Sequence, residues 1–288
     1  MVTVFALTAA LLYGSADFLG GAATRRAHVL SVLLISGPAG LAVVGVAALL
    51  AGGPPRAAGL AWGACAGAAG GVGFMFLYAG LAAGPMSVVA PVSALASTVL
   101  PVAAALADGE RPGLRVYLGA LACVAAIVLV SSGNSGGDQA SGGTPFISRR
   151  TARAIGYGIA SGVAFGMFFL FIRNGGESGA LWPVVAARLA GTLVFLAAAA
   201  GTRTGPAGWR QDGRLFAAAL GAGAGDASAN VCYVLATRAG LFGLAVVLTS
   251  LYPGVTVLLA RFLLGERMCW VRRAGLALAA AGILLVTV

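Results

Sequence analysis

The chain has 288 residues, of which 60% are apolar and 9% charged, with 18 basic and 8 acidic side chains and a formal net charge of +10. Apolar runs long enough to cross a bilayer recur about ten times, and ten crossings of about 20 residues each leave only short connections, which excludes a soluble domain. The basic residues, all Arg, stand singly or in pairs at the ends of these runs and not on one face, so they read as membrane-surface anchors and exclude a nucleic-acid partner.

Arg, Pro and Gly punctuation delimits predicted spans near 2–22, 29–51, 58–82, 86–107, 114–131, 152–172, 180–201, 214–237, 242–264 and 270–288. Span 1 has no basic segment before it and is followed by similar runs, so it reads as a crossing and not as a cleaved signal peptide. It carries Tyr13 and Asp17 one turn apart on one face. Asp17 has two readings: a carboxylate inside the membrane, or an interfacial one neutralised by Arg25 or Arg26. His28 is the only histidine, placed at a helix end, and one histidine cannot build a metal cage. Cys65, Cys123, Cys232 and Cys269 are scattered without a close pair. No metal and no cofactor are therefore expected.

Span 3 repeats glycine at 59, 63, 67 and 71, a spacing that lets helix backbones approach, and carries Phe74 and Tyr78 one turn apart. Pro91 in span 4 removes a backbone donor from the Ser87 carbonyl, and the run ends at Glu110 and Arg111, a helix-end pair that also suits gating. The polar, Gly/Ser-rich stretch 132–151 reads as a linker between a first repeat, 1–131, and a second, 152–288. Span 6 repeats glycine at 158, 162 and 166 and adds Phe165 and Phe168.

A charged group at the centre of a membrane helix costs about 2.5 to 3.5 kcal/mol on insertion scales, so it usually faces a cavity or a partner. Arg188 lies eight or nine residues into span 7, and Asp226 about thirteen into span 8, which enters from the opposite face. Equal depth predicts that they pair. One reading makes Arg188 a clamp for a substrate carboxylate, since guanidinium offers a bidentate fork, with Asp226 as its resting partner. The other makes the pair a structural lock between spans 7 and 8. Asn230 and Tyr233 follow Asp226 on the same helical face and predict a polar lining. In span 9, Thr249, Tyr252 and Pro253 make a candidate cavity wall with a second proline break, and Glu266–Arg267 closes the run as Glu110–Arg111 closes span 4.

Sliding the first half by 156 positions lays Gly84 on Gly240, Gly109–Glu110–Arg111 on Gly265–Glu266–Arg267, Gly119 on Gly275 and Ile127 on Ile283. Five spans per copy turn the second copy upside down. The expected fold is an all-α integral membrane protein of ten helices, arranged as two inverted five-helix repeats around a central cavity, the architecture of alternating-access transporters. Loops after odd-numbered spans carry eleven arginines against five on the other side, which puts both termini outside by the positive-inside rule.

Three features together resemble the EamA family of the drug/metabolite transporter superfamily. They are Tyr13-Gly14-Ser15-Ala16-Asp17-Phe18, similar to that family's Trp-Gly start; the Gly-Glu-Arg runs closing spans 4 and 9; and an Arg in span 7. The resemblance implies a secondary transporter, usually an exporter of amino acids or other small metabolites, with spans 1, 3, 4, 6, 8 and 9 around the cavity. It also implies cytoplasmic termini, against the arginine count. Tyr13 stands where the family often has Trp, and Asp17 is charged at a place usually neutral.

The expected function is thus export of a small metabolite, zwitterionic or anionic, by a multi-pass protein of a bacterial inner membrane; Arg-only, Gly/Ala-rich usage suggests a GC-rich genome. Arg188, Asp226, Asn230, Tyr233, Tyr13, Tyr78, Thr249 and Tyr252 are the candidate substrate-binding residues, and Asp17 and Asp226 the candidate proton-coupling ones. An Asp that no arginine holds is the better proton carrier, which favours Asp17. No ATPase motif is present, so transport draws on a gradient, with the proton as candidate coupling ion. Partners are the solute and the lipid bilayer. The alternatives are an uptake permease, a lipid-modifying enzyme or a scaffold; an enzyme needs a cluster of nucleophile, acid/base or metal-binding groups that one His and eight acids do not offer.

Overall fold

The computed structural model describes residues 1–107, 149–175, 181–203, 212–238, 252–265 and 270–287, with isolated helical positions at Thr249 and between 118 and 129. These residues form α1 (Val2–Thr24), α2 (Val29–Ala51), α3 (Ala57–Ala83), α4 (Met86–Ala107), α5 (Arg149–Asn174), α6 (Trp182–Thr202), α7 (Gly213–Arg238), α8 (Tyr252–Leu263) and α9 (Trp270–Thr287), and among them there is no strand. Most of predicted span 5, nearly all of the linker, the start of span 9, and Glu110, Arg111, Glu266 and Arg267 lie outside the described residues.

The helix ends follow from local chemistry. A helix of 23 residues, such as α1 or α2, is about 35 Å long and exceeds the roughly 30 Å of hydrocarbon it must cross. Helices α1, α2, α3, α5 and α6 are long and apolar enough to cross a membrane. His28 serves as N-cap of α2, its Nδ1 accepting from the Leu30 N–H at 3.3 Å. Between α2 and α3, Gly52 and Gly53 take φ of +71° and +86°, values that glycine alone adopts readily, and the Gly53 carbonyl accepts from Trp182 Nε1 at 2.8 Å.

Along α1 and α6 most small residues lie inside and most large ones outside, although Leu33, Leu81, Met86 and Leu95 of other helices are fully buried. On α1, Val4 and Leu11 are 67% and 57% exposed, while Ala6, Ala9, Ala10 and Gly14 are buried. On α6, Leu189, Leu193 and Leu196 face outward while Pro183, Ala187 and Gly191 face inward. Lipid tails are as apolar as leucine, so helices gain nothing by hiding leucine from them; close backbone approach across small residues holds the bundle instead.

Residue contacts fix the helix directions. Gly63, Gly67 and Gly71 of α3 meet Pro183, Ala187 and Gly191 of α6 in the same order, so these two run parallel. Helix α4 runs parallel to α5, with Gly158, Gly162 and Gly166 set against Val89, Ser93 and Ser97. Thr256 Oγ1 of α8 donates to the Gly14 carbonyl at 3.2 Å and Thr249 Oγ1, ahead of α8 in the chain, to the Ala6 carbonyl at 3.5 Å, so α1 and α8 run parallel, as do α2 and α7 through Ser36–Gly223 and Gly40–Ala227. Conversely, α1 is antiparallel to α7 (Leu12 and Ala16 at Gly225, Leu19 at Gly221), α3 to α5 (Gly73 at Phe165, Gly84 at Ala154), and α2 to α6 (Gly40 at Arg188, Gly37 at Phe195).

Together these relations send α1, α3, α6 and α8 one way and α2, α4, α5 and α7 the other. Each helix of the first half therefore opposes its counterpart in the second: α1 and α5, α2 and α6, α3 and α7, α4 and α8. Exchanging the halves carries the α3–α5 contact onto α7–α1, α3–α6 onto α7–α2, and α4–α5 onto α8–α1, all of which are packed. Inversion of the second copy, expected from an odd number of spans, is what this network describes.

Candidate functional site

Where α2, α3, α6 and α7 converge, a hollow of about 20 Å³ remains, enough for a single water molecule. Its walls are Leu33, Ser36 and Gly37 of α2, Phe74 and Tyr78 of α3, Arg188 and Phe195 of α6, and Ala222, Gly223 and Asp226 of α7. Glycines admit the crossing: a Cβ at Gly223 would fall on the Ser36 backbone, and one at Gly37 would lie 2.9 Å from Thr192 Oγ1.

Arg188 Nη2 donates to Asp226 Oδ2, so the two residues matched in depth by sequence do pair. Side-chain exposures of 17% and 10% keep the pair out of water but on the hollow. Asn230, one turn on, donates from Nδ2 to the Asp226 carbonyl at 2.9 Å and approaches the carboxylate Oδ2 at 3.5 Å, steadying the acid from its own helix. Thr192 Oγ1 donates to the Arg188 carbonyl at 2.8 Å.

Asp17 is 7% exposed and, among the described residues, makes no hydrogen bond or ion pair. Arg25, eight residues further along α1 and so about 12 Å away, donates instead to the carbonyls of Leu81 and Gly84 at 3.3 Å each. Burial and this arrangement disfavour the interfacial reading of Asp17. Its electrostatic neighbours are Asp226, Tyr78 and Tyr252.

Four tyrosines surround these charges. Tyr13 and Tyr252 pack with ring centroids 5.9 Å apart, and Tyr13 lies within electrostatic reach of Asp226, Arg188 and Tyr233. The Tyr78 ring end rests where Gly20 leaves no Cβ, one turn from Asp17, and Phe74 packs edge-on against both Tyr78 and Phe165. Phe168 fills the notch at Gly70. Thr249 turns toward α1 through its bond to the Ala6 carbonyl, while Pro91 lies within α4 and Pro253 at the second position of α8. The helix-end residues Glu110, Arg111, Glu266 and Arg267 lie outside the described residues.

Several wall residues escape a reading of the sequence alone: Leu33, Gly37, Phe195 and Ala222 are ordinary in an apolar run. Pro38 is a signal that was there to find. It stands inside α2 and leaves the Leu34 carbonyl without a helical donor beside the hollow. Ser36 occupies the first-half position equivalent to Arg188 at an offset of 152, so the two repeats contribute unlike groups to one wall.

Chemically, a guanidinium, two carboxylates and four phenols can bind, orient and release a charged solute or a proton. Among the described residues no group of three or more His, Cys, Asp or Glu could hold a metal ion.

The model of the EamA-like transporter family matches residues 1–132 and 152–288, two segments that leave out only the region between the repeats. A chain described as "Crystal structure of protein" superposes with a TM-score of 0.66 at 20% identity, covering 99% of this chain and 95% of its own, a likeness of fold. No curated protein matches the sequence.

Proposed function

Because the chain belongs to the EamA-like transporter family, and so is a multi-pass membrane transporter, we propose that it is a secondary exporter. It moves a small polar metabolite through the hollow between its halves, in a bacterial inner membrane. The observation that carries this is the Arg188–Asp226 pair, held in the bundle interior at the meeting of two inverted halves with Asp17 close by. Inverted halves that cross at one site can rock to open it to either side, and the small hollow fits a closed form between two such openings.

The ion pair holds α6 against α7 in this closed form, and an arriving solute competes with one of its partners. Asn230, Tyr233, Tyr13, Tyr78 and Tyr252 supply further polar contacts, and Asp17 carries the coupling proton. Purified protein in liposomes, screened for counterflow of small metabolites with and without a pH gradient, tests this. Counterflow in the wild-type protein and its loss in a folded Arg188→Ala variant is the expected result; unchanged counterflow in that variant removes the site.

A further inference from the structure

The interior charges do not balance. Arg188 and Asp226 cancel, and Asp17 is left over: nine-tenths buried, without a hydrogen bond or ion pair among the described residues, and near a second carboxylate. Helix α1 offers Tyr13, α3 Tyr78, α6 Arg188, α7 Asp226 and Tyr233, and α8 Tyr252, while α2 and α4 carry no ionisable side chain. Among the described residues no second cation faces Asp17.

A surplus negative charge in a dry site must be neutralised by a proton or by a cation from outside. A carboxylate-bearing solute paired with Arg188 would add a further negative charge to a site that already holds two acids and one guanidinium. A zwitterion would leave the surplus where it was. A proton or a cationic solute brings the sum to zero, and each can take the place of the other. The aromatic surroundings agree with this, since the Tyr78 ring end lies at Gly20, one turn from Asp17, and Tyr13 packs on Tyr252, and tyrosine rings attract ammonium groups.

We propose that the protein takes a solute bearing a cationic nitrogen, received beside the hollow by Asp17, next to Tyr78 of the hollow's wall and with Tyr13 and Tyr252 near, and that each such solute exchanges for one proton. This rests on the reading of the hollow as the solute path and names its substrate class. In the empty closed form the Asp17 carboxyl holds the proton. When the ammonium arrives, the O–H bond breaks, the carboxylate pairs with the cation, and the proton leaves to the side then open. Solute and proton travel in opposite directions with no net charge moved.

The test uses the full-length protein in liposomes carrying a pH-sensitive dye in the lumen. Tetramethylammonium, phenyltrimethylammonium, glycine betaine and benzenesulfonate are the probes. The proposal expects an inward gradient of an ammonium probe to drive protons out of the lumen at one per cation. It expects no response to clamping the membrane potential, a drop of about tenfold or more in Asp17→Asn, and recovery in Asp17→Glu. Movement of betaine or benzenesulfonate with both ammonium probes inert overturns the proposal and leaves the transporter standing. Equal proton flux in wild type and Asp17→Asn also overturns it. All four probes inert on wild-type protein of normal helical content and melting temperature overturns both readings.

Discussion

At the residue scale the Arg188–Asp226 pair decides most. Removing one partner strands the other charge in a low-dielectric site, whereas removing both strands nothing. Asp226→Leu alone is therefore expected to cost about 3 to 5 kcal/mol of stability, and Arg188→Leu with Asp226→Leu to melt near wild type, as thermal unfolding in detergent will measure. The double variant should still fail in counterflow; a double variant that transports normally makes the pair a structural lock and nothing more. The pairing was legible in the sequence because depth can be counted from helix starts, and two charges at equal depth in neighbouring spans have few alternatives to one another. The state of Asp17 was not legible. Whether Arg25 reaches it depends on where the Arg25 side chain turns, and it turns to the end of α3.

At the scale of elements, glycine crossings join the halves. Gly67 of α3 and Gly223 of α7 are equivalent at the 156-residue offset, and each faces a partner backbone, that of Ala187 and of Ser36. A leucine at either position has no room because backbone cannot step aside as a side chain can. Gly67→Leu and Gly223→Leu should each separate a helix pair and lower the yield of folded protein in size-exclusion chromatography. Gly156→Leu, where nothing lies within 4 Å, should leave it unchanged. The glycine spacing was legible and the faces were not. In lipid both sides of a helix are apolar, so periodicity, which marks the buried side of a soluble helix, is silent here, and side-chain size does not replace it, since large residues such as Leu33 and Phe195 lie inside. That is why Leu33, Phe195 and Ala222 came into view only with the fold. Pro38→Ala restores a donor for the Leu34 carbonyl beside the hollow and should slow counterflow without lowering the melting temperature; unaltered transport makes the kink a matter of packing.

At the scale of the whole molecule, the helix directions make the second half an upside-down copy of the first. The loop after α1 and the loop after α5 occupy equivalent places in the two copies and must open on opposite faces. In a cysteine-free background, single cysteines at Ala27 and at the exposed Asn174 should react with a membrane-impermeant maleimide from opposite sides of the membrane, and labelling from one side at both refutes the inversion. The same experiment decides which face holds the termini, on which the arginine count and the family disagree. Inversion was readable from the odd number of spans and the sliding match; the convergence of unlike groups, Ser36 from one copy and Arg188 from the other, on one hollow needed coordinates.

Alternating exposure of that hollow is tested most directly by a single cysteine at Ser36 in the cysteine-free protein, probed from each side of sealed vesicles with a small impermeant thiol reagent. Rocking of the halves predicts labelling from both sides and slower labelling when a transported solute is present. Labelling from one side only, or from neither, contradicts it.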